Sequence, residues 1–235
     1  MTDRGLTEIA FEEDAVAMRT IAALFVVKDG VYYGLEGVDP WDEERDARKY
    51  AGPYPVVAHP PCARWSRLAG FTEARFGYKR GEDGGCFKAA LEAVHTYGGI
   101  LEHPAHTDAF KAFGLPLPTV RHGWTLSMDG GASCYVEQGR YGLPVKKATW
   151  LYAYGVELPE LKWGWTRDSE GDPANQTEWG GMEAWRDAFK GRREQWEKGK
   201  HRGGHHGLTV TTPWSFRDAL VSTARSAYAL REVAA

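Results

Sequence analysis

A cysteine stands at the end of a short apolar run and among several cations. Residues 54–58 are followed by His59-Pro60-Pro61 and then by Cys62, with Arg64 and Arg67 shortly after it. The run has the composition of a buried parallel strand, and prolines cannot continue a hydrogen-bonded ladder. Ligands and chemistry collect outside the carboxyl ends of strands in open α/β sheets. We therefore expect Cys62 to be a nucleophile, because the nearby cations and His59 would favour its thiolate.

A carboxylate ends the next short apolar run. Residues 99–101 lead directly into Glu102-His103-Pro104. Because neighbouring parallel strands end at the same rim of a sheet, we expect Glu102 to share a pocket with Cys62. We also expect partial burial to raise the pKa of Glu102, so that it can share a proton with a bound group.

These motifs resemble those of the DNA cytosine-5 methyltransferases. Pro60-Pro61-Cys62, Trp65-Ser66 and Ala69-Gly70 are similar to the catalytic loop of that family, Pro-Pro-Cys-Gln-x-Phe-Ser-x-Ala-Gly. Two differences are that Ala63 replaces the glutamine and that one extra residue precedes the Ala-Gly pair. Glu102 is similar to the glutamate of the family's Glu-Asn-Val motif, whose last two residues are different here.

A third segment extends the resemblance. Tyr141-Gly142-Leu143-Pro144 and the apolar strand after it are similar to the family's Tyr-Gly-Val-Pro-Gln-x-Arg-x-Arg and its following strand. Val145 replaces the glutamine, and Lys147 and Thr149 stand at the two arginines. With three motifs in the family's order, the chain resembles a small and divergent member of the family, of the phage type.

The resemblance implies an α/β protein with a Rossmann-like methyltransferase fold, in which helices flank a mostly parallel central sheet. It also implies an enzyme that transfers a one-carbon group to carbon 5 of a cytosine flipped out of DNA. Cys62 would add to carbon 6, Glu102 would contact ring nitrogen 3, and Lys147 would contact the base or its phosphate. The residues expected to bind DNA are Arg64, Trp65, Ser66, Arg140, Arg192, Arg193, Lys200 and Arg202.

The segment expected to bind the methyl donor departs from the family. The family places a Phe-x-Gly-x-Gly-Gly loop after its first strand so that the backbone can approach S-adenosylmethionine, whereas Phe25 is followed here by Val26-Val27-Lys28. Asp39 is the candidate for the family's acidic ribose-binding residue, and we expect a remodelled pocket between Phe25, Asp39 and Pro60. The prediction is weak or absent binding of S-adenosylmethionine, with another one-carbon donor as the alternative.

Two further functions compete with this interpretation. His59, Cys62, His103 and His106 form two pairs at the predicted strand ends, and such pairs could hold a zinc ion in a tetrahedral site. The other alternative is a DNA-binding relative that has kept the fold and lost catalysis, which the missing glycine loop favours.

The remaining pattern predicts the elements that position these residues. Strands are predicted at residues 21–27 and 31–35, and helices at 41–50, 84–97, from Thr107 to 113, and from Pro213 to 231. A hairpin is predicted around residues 129–131. We expect a catalytic α/β domain over residues 1–166, a polar and basic target-recognition insert over 167–207, and a C-terminal helix in 208–235 that packs back on the sheet.

The composition is that of one globular α/β domain. The chain has 235 residues and a net charge of −3, so any contact with DNA must come from a local basic patch. Three cysteines without a CxxC pair make a disulfide framework or a zinc ribbon unexpected. The N-terminus lacks the features of a secretory signal, and we expect a cytoplasmic protein with no membrane association.

Overall fold

The computed structural model describes residues 19–66, 69–77, 79–120, 122–143, 147–164 and 212–227. Its strands are β1 (Ile21–Leu24), β2 (Val38–Trp41), β3 (Val56–Ala58), β4 (Gly99–Pro104), β5 (Trp124–Leu126), β6 (Ala132–Glu137) and β7 (Ala148–Tyr154). Its helices are α1 (Ala69–Phe76), α2 (Cys86–Tyr97), α3 (Asp108–Ala112) and α4 (Trp214–Arg225). The boundaries expected at residues 166 and 207, and the candidate DNA-binding residues Arg192, Arg193, Lys200 and Arg202, lie outside the described residues.

The strands form one mixed sheet in the order β2-β1-β3-β4-β7-β6-β5. β2, β1, β3 and β4 run parallel, whereas β7, β6 and β5 continue the sheet in antiparallel fashion. The α/β class is therefore confirmed. The prediction of a mostly parallel sheet is wrong for the end formed by β7, β6 and β5. The physical reason is the length of the connections, because parallel neighbours need a crossover of about a dozen or more residues and the β5–β6 and β6–β7 links are shorter.

The order of strands reverses between β1 and β3. β1 pairs with β2 on one side, where Leu24 is level with Trp41, and with β3 on the other, where Leu24 is level with Ala58. In a parallel sheet the loops on either side of such a reversal diverge and leave a crevice outside the strand ends, which is where ligands bind. Phe25 and His59 are the first residues after β1 and β3, so both loops border this crevice.

Close contact between β3 and β4 sets Cys62 beside Glu102. Gly99 begins β4 with φ of +144°, and a Cβ at this position would lie 2.0 Å from the Val56 carbonyl oxygen. Only glycine fits there. The register then pairs Ala58 with Leu101, so that the chain leaves β3 at the level at which Glu102 follows on β4.

Helices cover both faces of the sheet. α4 packs Phe216, Leu220 and Ala224 against one face, as its amphipathic pattern predicts, although it ends at Arg225 rather than at 231. α2 packs Phe87 and other apolar residues on the opposite face and spans nearly the predicted range. Burying each large apolar side chain stabilises the fold by about 1.5–3 kcal/mol. None of the helices among the described residues is long and apolar enough to cross a membrane.

Two predicted elements near the N-terminus are wrong. Residues 31–35 form turns rather than a strand, and the helix predicted over 41–50 is replaced by the end of β2 and a 3-10 turn at Ala47–Lys49. Asp46 interrupts the helix with φ of 55°, and its side chain accepts a hydrogen bond from the Arg48 backbone. β2 contains Pro40, which is tolerated because β2 is an edge strand with one unpaired side.

Candidate active site at the carboxyl edge of the sheet

Strand alternation sends Glu102 and His103 to opposite faces of the sheet. Ile100 lies in the core under α4, whereas Leu101 lies in the core under α2. Successive residues of a strand alternate between faces, so Glu102 lies on the α4 side and His103 on the α2 side. Direct contacts agree, since Glu102 bonds to His59 and His103 packs edge-on against Phe87.

Hydrogen bonds hold both carboxylate oxygens of Glu102. His59 Nδ1 lies 3.0 Å from Oε2, and Gln138 Nε2 donates to Oε1 at 3.1 Å. Thr149 Oγ1 lies 3.4 Å from the same Oε1 and accepts from Gln138 Nε2 at 3.0 Å. Glu102 is only 7% exposed, so these partners replace the water that a carboxylate otherwise requires.

The pKa of Glu102 is shifted in the direction opposite to the one expected from the sequence. Burial alone would raise it, as predicted. The positive charge of Lys147, the hydrogen bond from His59 and the charges of His59 and His103 together outweigh burial and lower the pKa of Glu102 to about 2. The predicted rise in the pKa of Glu102 is therefore wrong for the free protein, because a carboxylate with such partners stays ionised.

Cys62 lies at the start of a tight turn that follows β3. Its carbonyl accepts hydrogen bonds from the backbone N–H groups of Trp65 and Ser66, at 3.0 and 2.9 Å. The thiol is half-buried. Burial and then the negative charge of Glu102 raise the pKa of Cys62, and the positive charge of Lys147 offsets them only in part. The thiolate expected from neighbouring cations is thus not favoured in the free protein, although Cys62, Glu102 and Lys147 do share one site.

A further residue, Tyr32, completes this site and was missed by sequence reasoning. Tyr32 lies in the loop after β1 and is 3% exposed, and its hydroxyl lies 2.7 Å from His59 Nε2. Burial and then the charge of Glu102 raise its pKa well above the ordinary tyrosine value. Gln138 and Thr149 were also missed as partners of Glu102. No spacing signal links these residues, since 27 positions separate Tyr32 from His59 and 36 separate Glu102 from Gln138.

Trp65 is a core residue rather than a DNA-binding residue. Its ring is 8% exposed and packs against Phe87 and Phe113, with centroids 6.0 and 5.7 Å apart. Its indole N–H donates to Asp83 at 2.8 Å. The assignment of Trp65 to DNA contact is therefore wrong, because its ring is buried in the apolar core under α2.

The other candidates for DNA contact are half-buried at the same edge. Arg64 and Ser66 lie in the turn after Cys62, and Arg140 lies in the 3-10 helix Gln138–Tyr141 that leads from β6 towards Lys147. Their positions border the site without filling it.

The zinc site suggested by the histidine pairs does not form. His103 faces Phe87, whereas His59 faces Tyr32 and Glu102 across the sheet from it, and His106 stacks on Trp150. Among the described residues, no three His, Cys, Asp or Glu side chains converge as metal ligands. The described residues therefore do not form the four-ligand site expected from the sequence, because strand alternation separates the two central histidines.

The candidate donor-binding residues do not fit the family's site for S-adenosylmethionine. Asp39 lies within β2 rather than after it, and its carboxylate accepts from Arg45 at 2.5 Å and from the Trp41 indole at 2.8 Å. Phe25 turns the chain after β1 with φ of 58° and packs its ring against the core under α2, and the residues that follow it lack the family's glycines. Pro60 is buried. The glycine cradle is thus lacking among these residues, and the candidate ribose-binding acid Asp39 is already bonded to Arg45 and Trp41.

Comparison with known proteins adds no family to this description. No protein-family model matches the sequence, and no curated protein matches it significantly. A function for the chain therefore rests on the geometry of the site and on the motifs that form it.

Proposed function

We propose that this protein modifies carbon 5 of cytosine in DNA through a covalent adduct between Cys62 and the base. The observation that carries the proposal is the placement of Cys62 in the turn after β3 and of Glu102 on β4 just beyond its pairing with β3, beside the reversal of strand order. They are close enough for the carboxylate to raise the pKa of the thiol. The reversal is also what a Rossmann-like sheet would have, and it supports that finer description of the fold.

An ionised Glu102 favours cytosine over other pyrimidines. A carboxylate accepts a hydrogen bond from the 4-amino group of cytosine, whereas the 4-oxo group of thymine or uracil would repel it. The base must leave the duplex to reach this buried carboxylate, because stacked neighbours shield both its face and carbon 6.

The chemical step proceeds by addition. The Cys62 thiol loses its proton to solvent, its sulfur bonds to carbon 6, the electron pair of the 5,6 double bond moves to carbon 5, and ring nitrogen 3 takes up a proton. Carbon 5 is then nucleophilic. Lys147 assists because its charge favours the thiolate of Cys62 and also keeps Glu102 ionised.

The free site holds its nucleophile in the protonated form. The Glu102 charge that disfavours the Cys62 thiolate is the charge that a cytosine amino group would engage. Binding of the correct base therefore weakens the repulsion and activates the thiol, so that reactivity is coupled to recognition. Arg64, Ser66 and Arg140 are proposed to hold the flanking phosphates. The donor is proposed to be a one-carbon electrophile other than S-adenosylmethionine, since the residues after β1 do not fit that cofactor.

Trapping of the adduct tests the proposal. A duplex containing 5-azacytosine, whose ring nitrogen at position 5 activates carbon 6 without any donor, should form a covalent complex visible by mass spectrometry. Cys62→Ser should abolish the complex, whereas Cys86→Ser, at the half-buried first residue of α2, should retain it. An adduct that persists in Cys62→Ser would assign the nucleophile elsewhere, and no adduct with the wild type would reject the enzyme.

A second candidate is a DNA-binding relative without catalysis. The observation that favours it is the engagement of Asp39 by Arg45 and Trp41, which leaves no acidic group for a donor ribose at that position. Such a protein would bind a duplex and form no adduct with 5-azacytosine. Binding measured by fluorescence anisotropy, together with the trapping experiment, separates the two candidates.

A further inference from the structure

Tyr32, His59 and Glu102 form a continuous chain of hydrogen bonds that ends at the reacting base in the proposed enzyme. The Tyr32 hydroxyl lies 2.7 Å from His59 Nε2, and His59 Nδ1 lies 3.0 Å from Glu102 Oε2. All three side chains are largely buried, with the His59 side chain 13% exposed and that of Glu102 9% exposed. Buried hydrogen bonds of this kind fix the orientation of the groups that they join.

The hydrogen bonds from Tyr32 through His59 to Glu102 can form with the His59 ring either neutral or charged. With a neutral ring, Tyr32 donates to Nε2 and Nδ1–H donates to Glu102. With a charged ring, Nε2–H donates to the Tyr32 oxygen, because a hydroxyl can both donate and accept. Tyr32 thus keeps a proton on Nδ1, directed at Glu102, whichever state the ring adopts.

Addition of Cys62 to cytosine creates a need for that proton. Ring nitrogen 3 gains a proton as the sulfur bonds to carbon 6, and Glu102 is the carboxyl proposed to contact it. Glu102 is ionised in the free protein and holds no proton to give. Among the described residues, His59 is the protonatable group hydrogen-bonded directly to Glu102.

We propose that His59 is a positioning residue that loads a proton onto Glu102 when cytosine binds, with Tyr32 holding its ring in the required orientation. This inference rests on the proposed function. His59 takes up a second proton from solvent, passes its Nδ1 proton to Glu102 Oε2, and Glu102 donates it to ring nitrogen 3 as the bond from Cys62 to carbon 6 forms. Ring nitrogen 3 later returns its proton through Glu102 to His59, and loss of the carbon 5 proton to solvent water re-forms the 5,6 double bond and expels the sulfur as thiolate.

Several charged groups surround this chain and act on it together. Those that the structure places against its members are Cys62 after β3, His103 on β4, Lys147 before β7, and Arg217 and Asp218 on α4. A pH profile of the wild type alone would mix their effects. A ratio of wild type to variant cancels the groups that both proteins share.

The test is the rate of adduct formation with the 5-azacytosine duplex, measured between about pH 5.5 and 8.5. His59→Asn places an amide nitrogen near the position of Nδ1, so it can still donate to Glu102 but cannot carry the extra proton. We expect this variant to be about 100-fold slower than wild type at the acidic end, as for loss of a proton donor, with the ratio falling as pH rises.

Adjacent tyrosines supply a matched pair of variants. Tyr32→Phe removes the hydroxyl that orients His59 and should slow the adduct at the acidic end by about 10-fold, less than the roughly 100-fold lost with the proton donor itself. Tyr33→Phe should leave the rate unchanged, because the Tyr33 hydroxyl donates to Asp42, away from His59. Thermal unfolding of each variant checks that the fold is intact.

The outcomes separate this inference from the function on which it rests. A ratio of wild type to His59→Asn that stays constant with pH, or a Tyr32→Phe rate equal to wild type, would overturn proton loading while the adduct itself supports the enzyme. Absence of an adduct in the wild type would reject the proposed function, and the inference would fall with it.

Discussion

His103 is predicted to be a neutral core residue whose titration makes the protein sensitive to acid. Its side chain is fully buried, and its ring packs edge-on against Phe87. Neither ring nitrogen has a hydrogen-bond partner of good geometry among the described residues. Burial lowers the pKa of His103 to about 4, although the charge of Glu102 and the Pro61 carbonyl act in the opposite direction.

The loss of stability on acidification follows from the different pKa of His103 in the folded and unfolded states. The unfolded chain binds a proton at His103 below about pH 6.5, whereas the folded protein does so only near the lowered value, so stability is full above about pH 6.5 and falls on acidification. Each pH unit in this window costs about 1.4 kcal/mol, giving a loss of about 3 kcal/mol by about pH 4. Below that range, Glu102, with a pKa of about 2, continues the acid dependence.

The assay is urea unfolding of wild type and His103→Leu between about pH 8 and pH 4. Leucine has a similar volume and no charge, so the free energy of unfolding should match or exceed that of wild type at pH 8 and fall by about 3 kcal/mol less across the window. His122→Gln, at an exposed position, should follow the wild type. Parallel curves for wild type and His103→Leu would refute the reasoning, as would a zinc-dependent rise in melting temperature that His103→Leu abolishes.

Three other predictions concern the thiol, the core and the donor. Glu102→Gln should lower the apparent pKa for alkylation of Cys62 by iodoacetamide, and Lys147→Met should raise it, whereas equal profiles would contradict the charge coupling. Trp65→Ala should lower the free energy of unfolding by about 3–5 kcal/mol in urea titrations, and a change below about 1 kcal/mol would place the ring at the surface instead. Calorimetry should show weak or no binding of S-adenosylmethionine, and micromolar binding that Asp39→Ala weakens would show that this pocket accepts the cofactor.

Local patterns predict the elements that depend on local forces. The apolar periodicity of α2 and the Asp129-Gly130-Gly131 turn between β5 and β6 are visible in the sequence, because helix faces and tight turns are set by nearby residues. β2 was missed because Pro40 and its charged neighbours contradict strand propensity. Its formation depends on pairing with β1, a contact that no local window contains.

The sequence predicts where the candidate site lies in the sheet but not the protonation states of its side chains. The rule that ligands gather at strand ends places Cys62 and Glu102 together from sequence alone. The direction of each pKa shift depends on which groups lie within a few ångströms, and 43 positions separate His59 from Glu102. The same limitation explains Trp65, whose aromatic ring is equally consistent with stacking on a base and with packing on Phe87.

The two pKa shifts at the site belong to one electrostatic arrangement. Burial of the thiol and then the charge of Glu102 favour a protonated Cys62, because a thiolate would place a second negative charge near the buried carboxylate. A ligand that neutralises or engages Glu102 must therefore make the thiol more acidic, whatever its chemical identity. In the proposed enzyme, cytosine would suit this role, since its amino group would contact the carboxylate and its carbon 6 would accept the sulfur. In the proposed enzyme, such a site would keep the thiol of Cys62 unreactive towards other electrophiles until the base had entered.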